Sequence, residues 1–289
     1  MSTAIISPHD GVATDLAKIG ALSTNYSPSS VPRRTHSRGR RANACPPVST
    51  NSKIHESLAN VTYRVATFHH ERLSAFSLVY QRYREAGLIE SNPFKIRVTP
   101  FHLEPTTTVF VGRARRELYC TVTLVKDGCL GLPMEAIFSS EIDEQRSKGL
   151  SLAEVSCLAF RVGLSRSQSW SLFLGLNRLL AQFARRNGVD ALVIATHPRH
   201  LHIYERMMGF VQFGSARTYP RVRNNPAVAG CLEFVQVDRN HPPAWDAIFS
   251  QPIPDWQLDV CSTASTAEYR RLREAADSVD DVFLPLAVA

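Results

Sequence analysis

The 289-residue sequence predicts a mixed α and β fold, α+β or α/β, with helices set between the strands of one sheet. Three observations carry this. "VDALVIA" (189–195) is a short β-branched run of the kind buried in a parallel or mixed sheet. "WSLFLGLNRLLAQFARRNG" (170–188) repeats apolar residues at helical spacing and stops at Asn187-Gly188. A 44% hydrophobic content is enough for a proper core, so a globular protein is expected.

The elements follow in order. Residues 1–57 are rich in Ser, Thr, Pro and Arg, carry almost no apolar periodicity, and read as a disordered basic tail. Order is expected from Val61, where "VTYRVATF" reads as a strand. "ERLSAFSLVYQRYREAGL" follows as a helix with Leu73, Phe76, Val79, Tyr80 and Tyr83 at helical spacing, closed by Gly87. "TTTVFVGRA" and "ELYCTVTLVKDG" form a hairpin or meander ending at the Asp127-Gly128 turn signal. After the linking segment "GLPMEAIFSSEIDEQRSKG", the strand "LSLAEVSCLAFR" alternates. Leu152, Glu154, Ser156, Leu158 and Phe160 fall on one face, and Ala153, Val155, Cys157 and Ala159 on the other. A carboxylate therefore stands in the middle of an apolar strand. The helix at 170–188 and the strand at 189–195 come next, then the helix "RHLHIYERMM" ended by Gly209, and finally the strands "FVQFGSA" and "CLEFVQV". Residues 238–289 begin with a Pro-rich link and read as an acidic appendage with one helix, "STAEYRRLREAADSVDD", whose Ser265 and Glu268 have capping-box spacing. The expected domains are a tail at 1–57, a folded unit at 58–237 and an extension at 238–289.

Charge is uneven along the chain. Residues 58–237 hold 22 Lys and Arg against 14 Asp and Glu, whereas residues 238–289 hold four against nine. A basic surface attracts nucleic acid, anionic membranes or an acidic protein, and charge alone does not choose among them. The tail's "RRTHSRGRR" reads as a solvated arm, so no nucleic-acid partner is expected. Six cysteines stand far apart without a C-x-x-C pair, which points away from a zinc site or a compact disulfide framework and toward reduced thiols. The N-terminal apolar patch Ala4-Ile5-Ile6 is too short for a signal peptide, and nowhere do about 18 apolar residues run together. The expectation is a soluble cytoplasmic protein with no integral membrane segment.

The densest cluster of polar chemistry is "ATHPRHLHIYERMMGFVQFG" (195–214). His197 precedes Pro198, His200 and Tyr204 lie one turn apart on a helix face, and His202 points elsewhere. Zinc wants three ligands and only Glu205 stands near as a carboxylate, so no metal is expected.

The order of elements, with the Tyr-bearing helix and Gly-Phe turn of "HPRHLHIYERMMGF", resembles the GNAT acyltransferase fold. Together with "GLPMEAIFSSEIDEQRSKGLSLAEVSCLAF" the match is similar to the long-chain N-acyl amino acid synthases of the N-acyltyrosine synthase kind, relatives in fold of the acyl-homoserine-lactone synthases. Arg72, Phe76 and Tyr80 repeat the Arg-x-x-x-aromatic-x-x-x-aromatic spacing that resembles the first helix of the lactone synthases. The resemblance covers roughly residues 61–237 and implies an α+β, GNAT-like, mainly antiparallel sheet flanked by helices. Two departures matter. The loop "RVGLSRSQSWS" has one glycine where users of acetyl-CoA in this fold usually carry a Gly-rich pyrophosphate cradle. Cys157 also stands where lactone synthases often have an arginine, so no role resting on that arginine carries over.

The implied reaction transfers a fatty acyl group from acyl carrier protein to the amino group of an amino acid. No cofactor is implied beyond the donor's acyl-phosphopantetheine, and the product is expected to partition toward membranes. Such a transfer needs a neutral amine, donors for the developing oxyanion and a proton for the leaving thiolate. Glu154 is the base candidate, since its apolar strand should raise its pKa; the alternative is a structural Glu paired with a neighbouring Arg. Backbone N–H groups where this strand splays from "VDALVIA" would meet the oxyanion. Tyr204 stands where some GNAT enzymes keep a tyrosine that protonates the thiolate, and also reads as a core tyrosine. Ser156, His197, His200, Arg72, Phe76 and Tyr80 are substrate-binding candidates, with a capping role for His197 equally open. Arg161, Arg166, Arg178, Arg185 and Arg186 would form a landing surface for an acidic carrier protein or simply a solvated basic face. Two rivals stand beside this reading: a CoA-dependent acetyltransferase acting on a small amine, and a non-catalytic acyl-binding module.

Overall fold

The computed structural model describes residues 60–258 and 266–280. The expected tail at 1–57 lies outside them, as does Ser265. The frame is a seven-stranded sheet in the order β1-β2-β3-β4-β5-β7-β6. Its strands are β1 (Thr62–Val65), β2 (Thr107–Ala114), β3 (Glu117–Lys126), β4 (Leu152–Phe160), β5 (Ala191–Thr196), β6 (Val211–Tyr219) and β7 (Asn225–Glu233). Neighbouring strands are antiparallel except β4 and β5, which run parallel. This is the mixed, mainly antiparallel sheet expected.

Helices cover both faces. On one side lie α3 (Arg166–Arg186) and α4 (Pro198–Met208). Ser165 and Gln168 close a capping box at the start of α3, and the helix buries Leu172, Phe173, Leu176, Leu179, Leu180 and Phe183 against Ala153, Leu192 and Ile194. On the other side α1 (His69–Glu85) places Leu78 and Val79 on Cys157 and Ala159. Beside it α2 (Glu135–Ser147) packs Phe138 and Ile142 on Val125, Leu152 and Val193.

Four local expectations are corrected. The segment read as a link at 131–149 is largely helical, because Phe138 and Ile142 stand one turn apart and both reach the core. The last strand begins at Asn225, earlier than expected, and "FVQV" opens α5 (Phe234–Asn240), whose Phe234 and Val237 are buried at i, i+3 spacing. The short helices α6 (Trp245–Phe249) and α7 (Asp255–Leu258) continue over α3, burying Ile248 and Leu258 in its core. The helix α8 (Thr266–Asp280) is more than an appendage, since Leu272 and Ala276 share a core with Phe76, Val98 and Val109.

The fourth correction concerns β4. Its register against β3 shifts between Thr121 and Thr123, and Cys157 takes φ 54° at that point. One extra residue reverses the alternation. Ala153, Val155, Leu158 and Phe160 therefore pack on the α3 side, while Leu152, Cys157 and Ala159 belong to the cores beneath α1 and α2.

Candidate active site

Parallel pairing of β4 with β5 lasts only from Leu152/Ala191 to Glu154/Val193. Beyond it β4 follows β3 to Phe160 and β5 follows β7 to Thr196, so the two strands part and leave an opening at Glu154. Backbone groups of β4 past residue 154 have no β5 partner on that side.

Glu154 is 3% exposed and accepts a hydrogen bond from the Met134 N–H at 2.7 Å. Burial pushes its carboxyl up to about 8, against the opposing effects of that N–H and of the Arg221 guanidinium. The structural alternative, a Glu held ionised by a bonded arginine, is absent among the described residues. Residues 133–134 fix a second group, since Tyr219 donates its hydroxyl to the Pro133 carbonyl at 3.0 Å. From Tyr219 a short 3-10 turn, Pro220–Val222, presents the Arg221 carbonyl to Arg97 at 3.2 Å. Arg97 is itself held by its N–H to the Phe76 carbonyl of α1 at 3.0 Å.

Tyr83, from α1, closes the cluster. It packs against the core that holds Cys157, and burial raises its pKa, helped by Cys157, Tyr219 and Tyr204. Tyr204 comes from α4 on the opposite face, packed edge-on against Phe173 and Phe210, with burial raising its pKa to about 12. The strand opening is what lets tyrosines from the two faces sense each other. Hydrogen bonds and electrostatic influence thus link Glu154, Cys157, Tyr83, Tyr204, Tyr219, Arg97 and Arg221 into one cluster. Ser156, half-buried at the bulge, turns its hydroxyl toward the Cys157 Sγ at 3.6 Å.

The other expected site residues sit elsewhere. His197 is the N-cap of α4, its Nδ1 accepting from the Arg199 N–H at 3.2 Å, and Pro198 takes the first helical position. His200 is buried and accepts from Arg199 Nε at 3.2 Å. The histidine-rich stretch mainly starts a helix. Arg72 turns away from Glu154: its Nε donates to Glu268 of α8 at 2.8 Å, and its guanidinium also bonds the Thr67 carbonyl. Phe76 lies in the core that α8 covers, and Tyr80 is buried one turn on. Among the described residues no group of three His, Cys, Asp or Glu could hold a metal ion.

The five arginines do not make one landing face. Arg166 and Arg186 stand at opposite ends of α3, about 30 Å apart along its axis. Arg178 donates to the Gln251 carbonyl and Arg185 to Asp238, the latter also lying over the Phe234 and Phe249 rings; Arg186 is 3.8 Å from Asp255. These three tie α3 to the C-terminal segment. Arg161 bonds Glu117 at 2.5 Å, and Arg166 is exposed.

A cavity of about 850 Å³ opens between α1, β3 and α8. Leu73, Leu78, Leu118, Leu272 and Phe94 form its apolar walls, with Lys95, Arg161 and Arg271 around them. Leu78 and Leu118 also pack with Cys157, so the cavity adjoins the Glu154 strand.

Of the residues now assembled, the sequence reading found Glu154 and Tyr204 and missed Tyr83, Arg97, Tyr219, Arg221 and the Met134 N–H. Tyr83 carried a signal as an apolar-face tyrosine. Tyr219 ends β6 beyond the strand the sequence marked, Arg97 and Arg221 come from a loop and a 3-10 turn, and Met134 from the segment taken as a link, none of which has periodicity to mark it.

No curated protein matches the chain. Among solved structures, FeeM, an N-acyl amino acid synthase from uncultured soil microbes, is 28% identical over 61% of this chain and 93% of its own, with a TM-score of 0.53. The acyl-homoserine-lactone synthase LasI is 17% identical over 68% of this chain and 96% of its own, TM-score 0.49. MesI, a CoA-dependent acyl-homoserine lactone synthase, is 14% identical over 67% and 97%, TM-score 0.45. The family described as "N-acyl amino acid synthase FeeM" matches residues 74–233, more than half of the chain and the stretch that contains every member of the Glu154 cluster. With a GNAT-like sheet opened beside a buried glutamate, this acyltransferase belongs to the FeeM family of N-acyl amino acid synthases.

Proposed function

We propose that the enzyme moves a fatty acyl group from acyl carrier protein to the amino group of an amino acid, producing an N-acyl amino acid in the cytoplasm. The observation that carries this reading is a buried carboxyl, Glu154, raised to about 8, at the point where β4 and β5 part. The amine nitrogen attacks the thioester carbonyl while Glu154 takes its proton, directly or through water. A C–N bond forms, and the carbonyl oxygen gains the charge that unpaired β4 N–H groups are suited to receive. The C–S bond then breaks, and Tyr204 gives the thiolate a proton.

The acyl chain is assigned to the cavity beneath α8, whose apolar walls favour a fatty tail over water. A carrier protein is favoured over free CoA by the start of α3. Its loop has one glycine, Gly163, and the Ser165–Gln168 box uses the N–H groups of both residues, leaving fewer for a pyrophosphate. The catalytic unit is taken as 58–237, with 238–289 an extension that closes it. The test is mass spectrometry of lipid extracts from cells making either the wild type or Glu154→Gln. N-acyl amino acids present with the first and lost with the second support the reading; none with the wild type sinks it.

A further inference from the structure

Arg97 is 7% exposed, yet among the described residues no carboxylate pairs with it. Of its five N–H donors one goes to the Arg221 carbonyl at 3.2 Å, and the buried Nε–H finds no acceptor. A guanidinium kept in this state is expensive, because desolvation is uncompensated unless an anion arrives. Its charge is felt by Cys157, Tyr83 and Tyr219, three members of the cluster around Glu154. Arg221, half-buried over the Phe101 ring at 5.1 Å, adds a second cation that acts on Glu154 itself. Among the described residues neither arginine is held by an acid, and no ion pair joins Glu154 to Arg97.

From this juxtaposition we infer that Arg97, assisted by Arg221, binds the α-carboxylate of the acceptor amino acid while its amine faces Glu154. The inference rests on the amino-acid reading above. In an α-amino acid, amine and carboxylate share one carbon, so an amine delivered to Glu154 brings its carboxylate into reach of a cation in the same cluster. The planar guanidinium grips a carboxylate with two parallel hydrogen bonds, which a lone ammonium does not. A bound carboxylate also supplies the missing partner for Nε. Discrimination follows: amines without the carboxylate leave Arg97 buried and unpaired, and they are rejected.

The test compares free amino acids with their methyl esters as acceptors, in steady-state assays of wild type, Arg97→Met and Arg97→Lys. Wild type should favour the acid over the ester by about 10- to 100-fold in kcat/KM, the range expected for a charged hydrogen bond. Arg97→Met should lose that preference through a raised KM for the acid, keep its KM for the acyl donor, and melt no lower than wild type, since an unpaired buried charge has been removed. Arg97→Lys should recover part of the preference. Equal use of acid and ester by the wild type overturns the inference whatever the variants do. So does an unchanged acid-to-ester ratio in Arg97→Met, or a loss confined to the donor KM, which would mark a phosphate-binding arginine. Failure of the wild type to acylate any amino acid or ester would instead overturn the amino-acid reading on which the inference stands.

Discussion

Glu154 shows how much a residue's chemistry depends on what reaches it. Its neutral form is favoured by burial, and the Met134 N–H and Arg221 only partly offset this. Acting as a base requires the ionised form, so kcat/KM should rise with pH through about 8, and a profile flat from pH 6 to 9 would remove Glu154 from the role. Glu154→Gln should lower turnover about a hundredfold or more. The same shift has a stability consequence. A carboxyl whose folded pKa lies above its ordinary 4.5 binds more protons folded than unfolded between 4.5 and about 8, so stability falls as pH rises across that window. Glu154→Gln should remove that fall, melting higher than wild type at pH 8.5 and nearly level with it at pH 4.5; thermal scans at both pH values check this.

At the scale of elements, α3 and α8 carry the most testable packing. Gly175 lies in the interior of α3, where Ala would ordinarily stabilise a helix by about 1 kcal/mol. A Cβ there would come within 2.3 Å of the Tyr63 ring of the edge strand β1, so Gly175→Ala should destabilise instead, with a lower melting temperature as the readout. The helix α8 is joined to α1 through Arg72 and Glu268, both buried. Arg72→Met leaves the buried Glu268 charge with only His69 beside it and should cost up to about 3–5 kcal/mol, most of it recovered in Arg72→Met/Glu268→Leu. Hydrogen exchange should show α8 losing protection before the central strands do. Glu268, expected from its spacing to pair with Ser265, is thus a buried ion-pair partner of Arg72.

For the whole molecule, the sheet, its two helical layers and the opening between β4 and β5 all lie within 60–258, with α8 closing one side. Deleting residues 1–57 should therefore leave melting temperature and acyl transfer nearly unchanged; a shift of more than a few degrees would show that the segment packs on the fold. Donor choice also belongs to this scale. With Arg178, Arg185 and Arg186 engaged by the C-terminal segment, a carrier protein would meet Arg161 and Arg166 at the other end of α3. Reversing those two to Glu should weaken the carrier-dependent reaction, and added salt should mimic the reversal in the wild type. Equal use of acyl-CoA, insensitive to either, would point to a CoA-dependent enzyme.

The sequence by itself determined the succession of the seven strands with α1, α3 and α4 between them, the glycine-marked ends of α3 and α4, and the lone carboxylate in β4. Each is written in local terms: a 3.6-residue or two-residue apolar period, a capping residue, a glycine at a helix end. His197-Pro198 and Gly209 were legible as punctuation for the same reason. What only the tertiary structure decided is everything that depends on residues far apart in the chain. The bulge at Cys157 moved Leu158 and Phe160 to the opposite face from Glu154, because one extra residue opposite β3 inverts a period-two pattern and no local signal marks it. Arg72 and Arg97 are both arginines near the same helix; long-range contacts gave one to Glu268 and left the other buried with no acid partner among the described residues. Burial and charge pairing are properties of surroundings, and those surroundings are assembled only when the sheet closes.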